Sequence, residues 1–188
     1  MPLSATKSIA LCIEGTGISD PSAIAAASRV LAKSQGCTSK VLGINIVTLP
    51  VLPGLVTCAD LTELQMLAPT SVDSMLGFIS QLPRLVSLSL QRVTFDDIRA
   101  DLSIPPWDAR GLAMPLDTQL ERLSIKPVRY QDMANAVVPV VKYMLLKIPT
   151  LGYIDAACAP KQQVLDFVDD YVQRYPHLVH VVLNLTGE

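Results

Sequence analysis

The chain has 188 residues, half of them apolar and 17% charged, with a formal net charge of -2. That length suits one folded unit, and that composition excludes an intrinsically disordered chain. So small a charge leaves no electrostatic footprint for nucleic acid or an anionic membrane, and neither is expected as a partner.

The first predicted element is a strand over Ser8 to Ile13, where apolar and small residues alternate. Gly15-Thr16-Gly17 breaks it. Ser19 or Asp20 caps a helix with Pro21 in its first turn, and Ile24, Ala27 and Leu31 share one face before Gly36 ends it. A second strand is predicted over 41–47, followed by a connector in which Pro50, Pro53 and Gly54 forbid regular helix. A third strand covers 61–67 and ends before Pro69. The helix after it carries Val72, Met75, Leu76, Ile79 and Leu82 at steps of three and four.

A fourth strand covers 85–91 and runs into an irregular insertion, 94–118, with Trp107 at its centre. A fifth covers 120–126. Its helix carries Met133, Val137, Val140, Val141, Met144, Leu145 and Ile148, with a kink expected at Pro139. A sixth covers 151–157, and its helix turns Val164, Leu165, Val168, Tyr171, Val172 and Tyr175 inward. The seventh unit is a strand alone, over 178–185.

One phrase recurs through these strands: a leucine, two variable residues, an aliphatic, one variable residue, an aliphatic. It reads Leu61-x-x-Leu64-x-Met66, Leu85-x-x-Leu88-x-Leu90, Leu120-x-x-Leu123-x-Ile125, Leu151-x-x-Ile154-x-Ala156 and Leu178-x-x-Val181-x-Leu183. Weaker copies begin at Val41 and Ser8. The units therefore start near 8, 41, 61, 85, 120, 151 and 178, scattered around a period of about 20–29 residues. A second marker repeats at one offset: Leu82-Pro83-x-Leu85, Ile148-Pro149-x-Leu151 and Tyr175-Pro176-x-Leu178. Proline cannot continue a helix and biases its predecessor toward extended backbone.

With these motifs the chain resembles the leucine-rich repeat superfamily over about residues 8–185, nearest to its ribonuclease-inhibitor-like and F-box-associated members. The corner Leu11-x-Ile13-x-x-Thr16-Gly17-Ile18-Ser19-Asp20 is similar to theirs. The asparagine or cysteine ladder of those families is missing: its positions hold Thr16, Leu49, Pro69, Val93, Val128, Ala159 and Thr186, and no F-box is found. The resemblance implies a single α/β solenoid over 1–188, with parallel strands in sequence order on one face and helices on the other. It also implies a non-catalytic protein-interaction module.

Alternation along each strand then sends the variable slots outward. They are Ala10, Cys12 and Glu14; Gly43, Asn45 and Val47; Glu63, Gln65 and Leu67; Ser87, Ser89 and Gln91; Arg122, Ser124 and Lys126; Tyr153, Asp155 and Ala157; His180, Val182 and Asn184. Expected partner contacts are Glu63, Gln65, Ser87, Ser89, Gln91, Arg122, Ser124, Lys126, Tyr153, Asp155 and His180. Arg122, Lys126, Tyr153 and Asp155 form the most contact-like corner, because Arg and Tyr are frequent interface anchors.

No catalytic, cofactor or metal site is expected. Cys12, Cys37, Cys58 and Cys158 lie far apart and read as buried thiols, and His177 and His180 have no ligand spacing. Asp96, Asp97, Asp101 and Asp108 read as solvated loop charges. The Gly15–Gly17 turn supports one alternative, a small doubly wound nucleotide-binding enzyme. Another alternative is the substrate receptor of a ubiquitin ligase whose adaptor-binding segment lies elsewhere. No secretory signal or spanning segment is read, so a cytoplasmic or nuclear protein is expected. The ends of the stack have no dedicated caps, so self-association through an end is a further expectation.

Overall fold

A computed structural model describes residues 8–13, 29, 39–44, 61–94, 116–127, 137–158 and 161–186. Over these residues the chain is an α/β protein built on one parallel sheet. Its strands are β1 (Ser8–Ile13), β2 (Ser39–Ile44), β3 (Glu63–Ser71), β4 (Ser87–Thr94), β5 (Arg122–Pro127), β6 (Tyr153–Ala157) and β7 (Val182–Thr186). They lie side by side in chain order, each neighbouring pair parallel, and β1 does not close onto β7. Helices α1 (Val72–Gln81), α2 (Val138–Lys147) and α3 (Gln162–Tyr171) follow β3, β5 and β6, and a 3-10 turn (Pro176–His180) leads into β7.

The aliphatic slots form registered rows. Leu64, Leu88, Leu123 and Ile154 stand opposite one another across four strands, and Met66, Leu90, Ile125 and Ala156 form the next row. All eight are at most 2% exposed. Val72, Met75 and Ile79 of α1, Val140, Val141, Met144 and Leu145 of α2, and Val164 and Phe167 of α3 join the same core. Each fully buried aliphatic removed from water contributes about 1.5–3 kcal/mol. The helices therefore cover one sheet face, and the core sits between it and them.

From β3 on, the strands begin later than the sequence suggests, whereas β2 begins earlier, at Ser39 rather than 41. Leu61, Leu85, Leu120 and Leu151 are buried, yet pairing starts two residues on, at Glu63, Ser87, Arg122 and Tyr153. The reason lies at the second slot. The Thr62 carbonyl accepts from both Val86 and Ser87 N–H, Val86 from Glu121 and Arg122, and Glu121 from Gly152 and Tyr153. One carbonyl per unit thus satisfies two amides of the next, and regular laddering follows it.

The three prolines act alike. Leu85 N–H donates to Leu82 carbonyl at 2.9 Å, Leu151 to Ile148 at 3.1 Å and Leu178 to Tyr175 at 3.0 Å. Each is a four-residue turn with proline at its second position, where a fixed φ is already correct.

Several expectations are corrected. Pro69 does not end β3; the strand continues to Ser71, with an extra residue between Met66 and Pro69 relative to β4. A bulge is one of the few places where a strand tolerates proline. Pro139 stands in the first turn of α2, where its missing N–H costs nothing; Met133 lies outside the described residues. In α3 the inward stripe is Val164, Phe167, Val168, Tyr171, Val172 and Tyr175, while Leu165 is 38% exposed. Leu165 sits at the edge of that stripe, about 90° from its centre on a 3.6-period helix.

At β2 the register sets Leu42, not Ile46, opposite Met66, and Lys40, not Ile44, opposite Leu64. At β1, Leu11 lies opposite Leu42. The first helix, the connector at 49–54, the Gly15–Gly17 turn, the insertion with Trp107 and its aspartates, and Cys37 and Cys58 lie outside the described residues, Arg29 apart.

Candidate interaction surface

On the sheet face away from the helices, the variable slots form their own registered rows. Glu63, Ser87, Arg122, Tyr153 and Val182 stand opposite one another from β3 to β7. Gln65, Ser89, Ser124, Asp155 and Asn184 form the second row. Glu63, Arg122, Lys126, Tyr153, Val182 and Asn184 are exposed, and Gln65, Ser87, Ser89, Gln91, Ser124 and Asp155 are half-buried by their neighbours. Ten of the eleven expected contact residues therefore share this face.

The eleventh, His180, does not. It ends the 3-10 turn before β7, and Val182 takes the register place opposite Tyr153. The seventh unit spends five residues, not three, between its first leucine and the row of Ile154: Leu178 is buried, and Leu183 is the residue opposite Ile154. Asn184 and Thr186 follow at the next outward places. Glu14, Asn45 and Val47 lie outside the described residues.

Hydrogen bonds tie the second row together. Ser124 Oγ donates to Asp155 Oδ2 at 3.1 Å, and Asn184 Nδ2 donates to Asp155 Oδ1 at 3.0 Å. Both carboxylate oxygens are thereby engaged, one by each neighbouring strand. Gln91 Nε2 donates to Ser89 Oγ at 3.1 Å within β4. Arg122 and Lys126, by contrast, form no ion pair among the described residues.

A shallow cleft of about 630 Å³ opens at the start of β5, β6 and β7, lined by Glu121, Arg122, Gly152, Tyr153 and Val182. Glu121, Gly152 and Val182 were not among the expected contacts. Gly152 and Glu121 occupy the second slot of the phrase, which alternation alone does not assign to a face. Alternation already turns Val182 outward, but its place opposite Tyr153 comes from registering β7 against β6. Tyr153 and Val182 are large apolar surfaces left in water, 36% and 59% exposed.

Cys158 is buried at the end of β6, and burial pushes its thiol up from 9.0 to about 11, with Lys142 pulling weakly the other way. Such a thiol is a core residue rather than a nucleophile. His177 Nε2 lies 2.9 Å from the Leu145 carbonyl, which ties the 3-10 turn to α2. Among the described residues no group of three or more His, Cys, Asp or Glu side chains is placed to hold a metal. No described helix is long and apolar enough to cross a membrane. Comparison with family models, curated proteins and solved structures finds no match to this chain.

Proposed function

We propose that the chain is a leucine-rich-repeat-like solenoid that serves as a non-catalytic protein-interaction module, docking its partner on the open face of the sheet. The observation that carries this reading is the registered outer face. Two rows of mostly polar side chains cross five strands in chain order, while the described helices pack on the opposite face. Repeats stacked in sequence order make such a wall by necessity, and nothing of the described chain covers it. The strand order also speaks against the doubly wound alternative. That fold binds nucleotides where its strand order reverses, and β1 to β7 run without a reversal.

A photo-cross-linker placed in turn at Ser89, Tyr153, Gln163 and Leu165 tests the reading in extracts of the native cell. The first two positions lie on the outer face and the last two on the exposed side of α3. Discrete protein adducts are expected from Ser89 and Tyr153 and not from Gln163 and Leu165. Adducts confined to the helix side would remove the proposed docking wall.

The free edge of β7 favours a second reading, self-association. Among the described residues β7 pairs only with β6. Leu183 and Leu185, which continue the two core rows, are only half-buried there.

A further inference from the structure

The cleft at the start of β5–β7 has a polarity and a spacing that define what fits it. Its backbone offers nothing to a ligand. Gly152 and Tyr153 N–H both donate to Glu121 carbonyl, and the Gly152 carbonyl accepts from Val182 N–H. Strand addition onto this floor is excluded, and recognition falls to side chains.

Those side chains are arranged in order across the strands. Arg122 on β5 presents a guanidinium with no ion pair among the described residues, and Tyr153 and Val182 follow on β6 and β7 as exposed apolar surface. Asp155, in the neighbouring row, accepts from Ser124 and Asn184, which hold it within that row, and forms no ion pair with Arg122. Lys126, four residues along β5 and about 13 Å away, adds a second positive charge on the same face. Glu121, just ahead of Arg122, also lines the cleft and disfavours a carboxylate on that side.

Adjacent strands lie about 4.8 Å apart, so Arg122 is about 7 Å from the midline between Tyr153 and Val182. Two residues of extended chain advance about 6.7 Å and put their side chains on one side. We propose, on the reading of this face as the docking wall, that the cleft takes an extended segment of a partner protein carrying an acidic residue followed two positions on by an aliphatic or aromatic one. The acid pairs with Arg122, and the apolar side chain lies between Tyr153 and Val182.

Gly152 supplies the test. Among the described residues a Cβ built there meets only the Glu121 carbonyl oxygen, at 4.0 Å, an ordinary contact, so the position accepts a side chain at the cleft. A random peptide-display library is selected on the full chain, and the enriched peptides are synthesised and measured by fluorescence anisotropy. Peptides with the acid-x-apolar pattern are expected. Gly152→Leu is expected to weaken them at least tenfold with an unchanged thermal transition, and Arg122→Glu to shift selection toward basic-x-apolar sequences.

Enrichment of peptides without an acid, or with acid and apolar residues four apart, overturns the inference. If such peptides still lose affinity with Gly152→Leu or Tyr153→Ala, the docking wall stands and only the stated chemistry falls. Binders insensitive to every variant on this face, or no enrichment over bare matrix, sink both.

Discussion

Leu165 and Phe167 are both apolar, two positions apart on α3, and the structure gives them opposite fates: Phe167 is 6% exposed and Leu165 38%. Phe167 stacks on Tyr171 at 4.6 Å between ring centroids, and the Lys142 ammonium lies 5.4 Å from its ring centre. Phe167→Ala should therefore cost about 3–5 kcal/mol in urea unfolding, the range for a buried aromatic. Leu165→Ala should stay within about 0.5 kcal/mol, as for a surface change. Equal losses would mean that α3 is rotated. Cys158 gives a second prediction at this scale. Its thiol titrates at about 11 when folded and near 9.0 when free. Between those values the unfolded chain has released a proton that the native chain still holds, so stability falls as pH rises through that window. Cys158→Ala should flatten that decline relative to the parent chain. Peptide-level mass spectrometry should also find native Cys158 unmodified by iodoacetamide at pH 8 and alkylated in denaturant; rapid native alkylation would contradict its burial.

At the scale of the element, the proline turns are the joints that place each strand beside the last. Thr150, next to Pro149 in one of them, donates through Oγ1 to the Leu120 carbonyl at 2.8 Å, so the turn is fastened to the start of β5. The same unit is closed from the other side by Leu116 N–H on the Lys147 carbonyl at the end of α2. Thr150→Val keeps the shape and removes the donor. About 1 kcal/mol of stability should be lost, and a neutral result would show the bond to be replaced by water. The strand-forming phrase and the proline stop were legible before any coordinates, because each is a local, short-range signal. The bulges after Met66 and Leu90 were not, since a bulge exists only between two strands.

For the whole molecule, the edge of β7, unpaired among the described residues, is the feature with a physical consequence. An unpaired strand edge offers a row of N–H and carbonyl groups to any second chain. Val182–Thr186 carries no charge to discourage that approach. Light scattering over a concentration series should show a dimer that Val182→Lys returns to monomer; a monomer at every concentration would rule the association out.

Much of the wall's membership could be read from alternation alone, since ten of the eleven expected contact residues share it. His180 was misplaced because alternation fixes which residues share a face but not where pairing begins. The 3-10 turn inserts two residues that no periodicity reveals. The cleft was legible in part: Arg122 and Tyr153 already share the expected corner, whereas Val182 joins them only through the register of β7 on β6.

By itself the sequence determined the alternation of strand and helix, the two aliphatic slots that fill the core, and the proline that stops a helix three times. These follow from backbone sterics and from the 2.0 and 3.6 periodicities of a single segment. Only the tertiary structure decided where pairing begins in each strand, the exchange of Leu165 for Phe167 on the inward side of α3 and the place of Val182 beside Tyr153. Each of those depends on the relative position of two segments, and hydrogen bonds between chains of backbone, not propensity within one, set it.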